Sequence, residues 1–460
     1  KIKKQYHRGR EIKMKKIIKE IKNDFKSKIF SQKTFLNTNK LFKVSKRIIP
    51  LGSQTFSKSH INWPKRKSPL FLTHGNGGRV FDVDGNEYVD LVGGLAPIIL
   101  GYCDPEVDHA IKLQLNKGII FSLANELEIK LSEKLIKHIP CAEQVRFGKN
   151  GSDATSAAIR LARYYTKKNR IAVCGYHGWH DWFIGSTYRN KGVPESVQKL
   201  THSFQYNSIE DLEKLFKEYP NEIAAVIMEP MTSEMPKKNY LNEIKKMTRR
   251  NKAILIFDEV ITGFRYSIGG AQKYFNVKPD LACFGKSIGN GMPISFVAGK
   301  KEIMKGMEEI FFSGTFFGET LSLAACLAVI EKMEQFPVLN HIWNFGKELK
   351  NRVNLLINKN NLNKTLKLKG KDPWVLLEFF DRNKFNKFDI ITFFKKNMIQ
   401  NGVLISGSHN VCYAHNDLDM DVILNAYDST LSKLKKSINN NTLKSEIKDC
   451  DSIKPIFKIR

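Results

Sequence analysis

The feature that most constrains the fold is an alternation of short apolar strands with amphipathic helices through the middle of the chain. The predicted strands lie in QVRFGKN, RIAVCGYHG, AAVIMEP, AILIFDEV and LACFGK, and helical periodicity separates them, as in SIEDLEKLFKEY and YLNEIKKMTRRN. Apolar strands joined through helices are typical of a mostly parallel sheet with helices on both faces. We therefore predict an α/β fold, in which ligands bind beyond the carboxyl ends of the strands.

The rest of the chain divides around this α/β layer. A hairpin is predicted in VFDVDGNEYVDLVGG, where apolar and acidic residues alternate and DGN supplies the turn. The predicted helix TLSLAACLAVIEKMEQF leads out of the layer into a smaller α+β region. We assign residues 1–46 to a basic tail, 47–105 to an N-terminal segment with the hairpin, 106–335 to the large α/β domain, 336–440 to the small domain and 441–460 to a polar, frayed tail.

The net charge of +29 raises the question of a polyanionic partner. Residues 1–50 hold 17 Lys or Arg against three acids, a net charge of +14, so about half of the excess lies in one segment. The rest of the chain is rich in Lys, Ile, Asn and Phe together, which indicates a general compositional bias. Because no RNP, zinc-finger or helix-turn-helix signature accompanies the charge, we expect no nucleic-acid partner.

The cysteines and the first residues of the sequence give evidence on the cellular compartment of the protein. The seven cysteines are scattered without a CxxC pair, which indicates neither a disulfide framework nor a zinc site. No apolar run reaches the length of a membrane span, and we expect a soluble, cytoplasmic protein. Met14 begins MKKIIKEIKNDFKSKIF, which has helical periodicity, and we expect it to be the natural start. The rival interpretation is an organelle presequence, which would favour Arg and Ser over Lys.

Unusual residues stand at the ends of four predicted strands. In RFGKNGSDATSAAIRLAR a Gly turn leads into a helix that begins with Ser152 and Asp153. Free N–H groups at a helix start can bind a phosphate, although an ordinary capped helix explains the same residues. VCGYHGWHDW places an aromatic residue and a histidine beside glycines at a second strand end, which suits stacking on a flat ring.

The VCGYHGWHDW segment has two other interpretations. His177, His180 and Asp181 have the side chains of metal ligands, but the sequence offers no further ligand cluster to complete a zinc site. We expect Trp179 and Trp182 to be core or interface residues.

Charged residues stand at the ends of the third and fourth of these predicted strands. AILIFDEV ends in Asp258 and Glu259, and LACFGK ends in Lys286. An apolar strand that runs into Asp-Glu also describes the Mg²⁺-binding strand of nucleotide triphosphatases, which requires a GxxxxGK[ST] loop. The Gly-Lys-Ser at 285–287 has Asp280 in place of the first glycine and comes after the Asp-Glu strand, so we reject that function.

Together the four strand ends predict a site for pyridoxal phosphate. This cofactor needs a phosphate cradle, an aromatic side chain against its ring, a carboxylate at its pyridine nitrogen and a lysine for its aldehyde. A lysine in a desolvated site can have a lowered pKa and form a Schiff base. We predict Asp258 as the carboxylate, Lys286 as the Schiff-base lysine and Glu259 as part of the supporting network.

The chain resembles the class III pyridoxal-phosphate aminotransferases, and within them glutamate-1-semialdehyde 2,1-aminomutase and its relatives. The resemblance covers roughly residues 47–435 and rests on VFDVDGNEYVD, KNGSDATSAAIRLAR, GYHGWHDW, FDEVITGFR, PDLACFGKSIGNGMP and FSGTFFGETLSLAA. It implies a fold type I transferase and a homodimer with active sites at the subunit boundary.

The resemblance also implies roles for individual residues. These are a phosphate-binding turn (Gly151, Ser152, Asp153), a stacking aromatic with its neighbouring histidine (Tyr176, His177), the catalytic pair (Asp258, Lys286), a residue packed on the ring (Val260), a residue near the substrate (Glu229) and a residue that reaches the phosphate of the neighbouring subunit (Thr315).

Two departures from the family pattern leave the reaction open. Aminomutases of this family usually have a GGGLP-like run after the lysine and a later Gly-Asn-Pro stretch, whereas this chain has GNGMP at 289–293 and Gly-Glu-Thr at 318–320. We predict transamination of a small amino or keto substrate through a Schiff base on Lys286. Two alternatives remain: the aminomutase, which transfers an amino group within one molecule, and a catalytically silent structural or binding homologue.

Overall fold

The structure, a computed structural model, describes residues 32–453. The expected start at Met14 and the helix predicted after it lie outside the described residues. The β-strands are β1 (Leu72–Asn76), β2 (Arg79–Asp82), β3 (Glu87–Asp90), β4 (Gln144–Gly148), β5 (Arg170–Cys174), β6 (Thr201–Ser203), β7 (Ile223–Met228), β8 (Ile254–Asp258), β9 (Leu281–Phe284), β10 (Ser295–Gly299), β11 (Leu366–Lys371), β12 (Trp374–Phe379), β13 (Val403–Leu404) and β14 (Ser408–His409). The α-helices are α1 (Leu36–Ile48), α2 (Pro105–Leu115), α3 (Glu126–His138), α4 (Gly151–Thr166), α5 (Asp181–Ile184), α6 (Glu195–Gln198), α7 (Ile209–Glu218), α8 (Tyr240–Arg250), α9 (Gly270–Tyr274), α10 (Lys301–Met304), α11 (Thr320–Gln335), α12 (Val338–Lys359), α13 (Lys387–Gln400), α14 (Asp417–Asn439) and α15 (Leu443–Glu446).

The largest sheet has seven strands in the order β4-β10-β9-β8-β7-β5-β6. The five strands β9, β8, β7, β5 and β6 pair in parallel with one another in that order. Strand β10 runs antiparallel to both β4 and β9. The predicted mostly parallel sheet is therefore confirmed, and its parallel strands end at a common edge.

Alternate residues of the middle strands face opposite layers of helices. On β8, Ile254 and Ile256 pack in a cluster with α4, whereas Leu255 and Phe257 pack in a cluster with α7 and α8. Burial of each such side chain contributes about 1.5–3 kcal/mol. Because both faces are covered, a polar residue fits only at the end of this strand, where Asp258 stands.

The predicted hairpin is confirmed as β2 and β3, which pair antiparallel with Val80 opposite Tyr88. Gly85, in the turn between them, has a φ of +81° that favours glycine. Strand β13, from the C-terminal part of the chain, pairs in parallel with β3, with Val403 opposite Val89. This link between distant segments was not predicted from the sequence.

The C-terminal part also holds a three-stranded antiparallel sheet of β11, β12 and β14. The prediction that the chain is frayed after residue 440 is wrong for residues 441–453. Leu443, Ile447, Cys450 and Ile453 are all buried, because this segment packs its apolar side chains back onto the fold. Within residues 32–453, no helix combines the length and apolar character needed to cross a membrane.

Candidate active site

A cavity of about 460 Å³ opens where the parallel strands end. Its walls come from the segments after β5, β7, β8 and β9 and from the turn before α4. Eight of the predicted site residues line it: Gly151, Ser152, Tyr176, His177, Glu229, Asp258, Val260 and Lys286. Asp153 and Thr315 are not among the lining residues, and Thr315 is exposed on a loop.

Asp258 and His177 form a buried pair in this cavity. Asp258 Oδ2 accepts a hydrogen bond from His177 Nδ1 at 2.8 Å, and Oδ1 accepts the Val260 N–H at 3.1 Å. Because an ionised carboxylate only accepts, the bond places a proton on Nδ1 and orients the ring. The other ring nitrogen, Nε2, is buried without a hydrogen-bond partner in the described part of the chain. A buried polar atom of this kind points to a group that the protein does not itself supply.

Glu259, the next residue, has a different environment. It is fully buried, and its carboxylate accepts the N–H groups of Ala271 at 2.7 Å and Gln272 at 2.8 Å. The carboxylate also accepts a hydrogen bond from the hydroxyl of Thr262. Burial raises the pKa of Glu259 to about 7, which these hydrogen bonds oppose. Glu259 therefore holds the start of α9 and belongs to the supporting network, as expected.

Lys286 comes after β9 in a left-handed backbone conformation, with φ +49°. For a residue other than glycine this costs on the order of 1–3 kcal/mol. Burial lowers the pKa of its amine, while the Asp258 and Glu229 carboxylates act in the opposite direction. A lowered pKa increases the neutral, nucleophilic fraction of the amine.

Glu229 comes after β7 and faces the same cavity. Burial, and next the charge of Asp258, raise the pKa of Glu229 to about 7. Its Oε2 accepts the N–H of Tyr176 at 3.1 Å. The carboxyl group can therefore hold or release a proton near neutral pH.

The start of α4 is capped, which is one of the two interpretations that the sequence left open. Asn150 Oδ1 accepts the N–H of Ser152 at 2.9 Å and of Asp153 at 3.2 Å. Asp153 in turn accepts the N–H of Lys149 at 3.0 Å and of Asn150 at 2.9 Å, which completes a capping box. Two of the N–H groups are thus already paired, and the Asp153 carboxylate closes the turn.

Lys149 lines the cavity beside this turn, and it was not predicted from the sequence. Its Nζ lies 2.7 Å from Glu319 Oε2, and both side chains are mostly buried. Glu319 also caps α11, because its Oε1 accepts the N–H groups of Leu321 at 2.6 Å and Ser322 at 3.1 Å. A lysine directly before the Gly turn in KNGSDA was the available signal. The ion pair joins the start of α4 to the start of α11.

A second wall that was not predicted from the sequence is the loop before Ile98. Four consecutive residues in it have positive φ: Gly93, Gly94, Leu95 and Ala96. The Gly-Gly of VGGLAP was the available signal. Asn290 fixes the end of this loop, since its Oδ1 accepts the N–H of Ile99 at 3.0 Å and of Leu100 at 2.9 Å. The asparagine of GNGMP, a departure from the family pattern, thus positions this wall.

The histidines and tryptophans of GYHGWHDW have separate environments. His180 Nδ1 lies 2.6 Å from Ser156 Oγ, which also accepts the indole N–H of Trp182 at 2.8 Å. Trp182 is buried, as expected of a core residue, but Trp179 is 66% exposed and lines the cavity. The core interpretation is therefore wrong for Trp179. Over residues 32–453, no group of three or more His, Cys, Asp or Glu side chains could hold a metal ion.

Comparisons with known proteins agree with this geometry. The family described as "Aminotransferase class-III" matches residues 61–430. The 3-aminobutyryl-CoA aminotransferase of Cloacimonas acidaminovorans is 34% identical to this chain over 86% of it and 97% of the relative. The glutamate-1-semialdehyde 2,1-aminomutase of Methanosphaera stadtmanae is 35% identical over 80% of this chain and 93% of the relative.

A similar solved structure is "Structure of PLP internal aldimine form of Sphingopyxis sp. MTA144 FumI protein". It has a TM-score of 0.80 and 26% identity, covering 87% of this chain and 97% of that one. The predicted fold type I architecture, the family resemblance and the expectation of an enzyme are confirmed. The chain belongs to the class-III aminotransferase family.

Proposed function

We propose that the protein transfers an amino group from one small substrate to the carbonyl group of another, with Lys286 as the catalytic lysine. One observation carries this proposal: Lys286, Asp258 and the turn before α4, from three separate elements, line one cavity. Pyridoxal phosphate is the cofactor of this family, as the sequence predicts. Membership of an enzyme family sets the silent alternative aside.

The residues of the cavity fit this cofactor. Lys286 Nζ would bond its aldehyde carbon, and the Asp258 carboxylate would accept a hydrogen bond from its pyridine nitrogen. His177 already donates to Asp258 and would keep that carboxylate oriented. Tyr176 and Val260, which line the cavity, would lie against the ring. When bound, the cofactor supplies an electron-accepting ring that stabilises a carbanion.

The start of α4 would hold the phosphate group. Gly151 and Ser152 line this end of the cavity, and the helix dipole favours an anion there, so the Gly151 N–H and the Ser152 hydroxyl would contact the phosphate. A Cβ on Gly151 would lie 3.0 Å from Val260, so only glycine leaves room for a close approach. Lys149 adds a positive charge. Asp153 would act on the shape of the turn, because its carboxylate is bound there.

Lys286 would also move the proton. Once a substrate amine has replaced it, Nζ becomes a free amine whose pKa is lowered by burial, as a base working near neutral pH requires. It would remove a proton from the carbon that bears the substrate amino group. Glu229, with a pKa of about 7, would lie near the substrate and hold a proton there.

Intramolecular amino transfer is the second candidate, favoured by the 35% identity to an aminomutase. The two reactions differ in which product leaves the protein. We expect L-glutamate alone to change the visible spectrum of the cofactor-loaded protein and to release its keto acid in an amount equal to the enzyme. Conversion of glutamate-1-semialdehyde to an isomer of equal mass, with no keto acid released from glutamate, would instead establish the aminomutase.

We also propose a homodimer in which Thr315 reaches the phosphate of the neighbouring subunit. Large apolar side chains are exposed on the loop of Thr315 and near α3, namely Phe311 (82%), Phe316 (62%), Leu123 (85%) and Ile129 (65%). Such a surface is typical of a subunit contact. Sedimentation should give the mass of two chains, and a monomer would contradict the proposal. A cytoplasmic location stays a prediction from the sequence.

A further inference from the structure

A second cavity, of about 850 Å³, adjoins the first. The two share Tyr176 and Trp179 as walls. The rest of the second cavity is formed by Phe56 and Ser57 of the N-terminal segment and by residues between 181 and 193. The two cavities therefore meet at Tyr176 and Trp179.

Four of the eleven described residues that line the second cavity are aromatic. Tyr176 is 50% exposed, Trp179 66%, Tyr188 60% and Phe56 44%. Exposed aromatic faces gathered in one concave surface are suited to stacking on flat rings. A small amino acid has no ring-bearing extension that would use them.

Positive charge accompanies the aromatic faces. The Arg189 guanidinium lies 4.4 Å from the centre of the Phe56 ring, and both residues line the cavity. Among the described residues, Lys191 and Asp181 line the same cavity. A planar guanidinium pairs in bidentate fashion with phosphate groups. The walls thus favour an occupant that has both a flat ring and a negative charge.

We propose that the second cavity binds the distal part of the substrate, and that this part has the chemistry of a nucleotide: an aromatic base attached to phosphate. The reactive amino or carbonyl group would sit at the other end, in the first cavity, so this inference rests on the proposed function. Two substrate classes share this chemistry, namely nucleotide-linked keto sugars and acyl thioesters of coenzyme A.

Titration calorimetry on the cofactor-loaded full chain tests the proposal. Loading first with pyridoxal phosphate keeps the probes out of the phosphate site of the first cavity. Coenzyme A, uridine diphosphate, adenosine and inorganic phosphate are the probes. We expect coenzyme A or uridine diphosphate to bind at one site per chain, more tightly than both adenosine and inorganic phosphate. A preference for one of the two nucleotides identifies the source. Equal or no binding of all four would overturn the proposal.

Substitutions locate the binding. Arg189→Gln removes the guanidinium and Phe56→Ala removes the ring beneath it, so each should weaken nucleotide binding by about tenfold. Arg352→Gln is the matched control, because Arg352 is an exposed residue of α12 paired with Glu348. It should bind as the unchanged protein does. Unaltered binding in both Arg189→Gln and Phe56→Ala would contradict the assignment.

The visible absorbance of bound pyridoxal phosphate separates this inference from the proposed function. Each variant should retain that absorbance, since neither Arg189 nor Phe56 lines the first cavity. If Arg189→Gln fails to fold, Phe56→Ala and Lys191→Gln carry the same test. A protein that takes up no cofactor refutes the proposed function, whereas cofactor uptake without nucleotide binding refutes only the inference about the second cavity.

Discussion

The two adjoining cavities are built in different ways. The first lies at the ends of buried strands, where the Asp258–His177 hydrogen bond and the network of Glu259 fix the polar atoms. The second is formed by segments outside the sheet, and its aromatic side chains are largely exposed. The proposed chemistry needs atoms in fixed positions and is placed at the sheet. The proposed recognition of the substrate is placed on loops, whose sequences vary more easily.

The largest effect should come from the first cavity. Lys286→Ala removes the only side chain proposed to bond the cofactor aldehyde, so amino transfer should be abolished. Lys301→Ala, an exposed lysine at the start of α10, is the matched control and should retain activity. Release of the keto acid from L-glutamate by the cofactor-loaded proteins, in a single-turnover assay, measures both. Keto acid released by Lys286→Ala at the rate of the unchanged protein would break the distinction between the two cavities.

Asp258 and Glu259 sharpen the comparison, because adjacent carboxylates should respond differently. Asp258→Asn removes the charge at the proposed pyridine contact, and kcat should fall by at least about a hundredfold. Glu259→Gln weakens the bonds to Ala271 and Gln272 and should mainly cost stability, about 1–3 kcal/mol. Kinetics and urea unfolding of both variants measure the contrast. Equal losses of kcat in the two would refute the separate roles.

The pair of Lys149 and Glu319 tests the phosphate end of the first cavity. Lys149→Gln removes a positive charge beside the proposed phosphate site, and the dissociation constant of pyridoxal phosphate should rise about tenfold. Fluorescence titration of the cofactor-free protein measures this. Lys134→Gln removes a lysine that pairs with Glu334 on the surface, and it should leave cofactor affinity unchanged. An unchanged affinity in Lys149→Gln would exclude Lys149 from the phosphate site.

The smallest effect concerns an anchor of the N-terminal segment. Lys395, on α13, is buried, and its Nζ donates to the backbone oxygen of Asn62 at 3.0 Å. Burial lowers the pKa of Lys395 to about 7 from 10.5. Between these values the unfolded chain binds more protons than the folded one, so this residue makes stability rise with pH across that window.

Lys395→Met removes that contribution. The stability of the unchanged protein minus that of the variant should therefore be larger at pH 9 than at pH 7, measured by urea unfolding. A difference independent of pH between these values would show that Lys395 is not held with a lowered pKa.

The sequence allowed residues of the first cavity to be named because they stand at strand ends, and their roles stay predictions. Asp258, Glu229 and Lys286 each come at the end of an apolar run, and parallel strands bring such ends together. The sequence allowed a capped start of α4, but it did not show that Asn150 supplies the cap, since a helix start has the same residue types whether its N–H groups are free or paired. Thr315 stays a prediction, because its proposed contact lies in another subunit.

The second cavity could not be predicted from the sequence. Phe56 and Arg189 stand far apart in the chain, and neither belongs to a periodic pattern. The same holds for the pairing of β13 with β3, which depends on how the C-terminal part folds back. For Trp179 only the core half of the prediction is wrong, because its side chain is exposed, and an interface role stays a prediction.

The central claim is that the first cavity holds pyridoxal phosphate through Lys286. Borohydride reduction of the cofactor-loaded protein, followed by peptide mass spectrometry, tests it most directly, because reduction fixes the cofactor to the side chain that holds it. We predict one pyridoxyl group per chain, on Lys286. A label on another lysine, or no label in a protein that has bound the cofactor, would contradict the account.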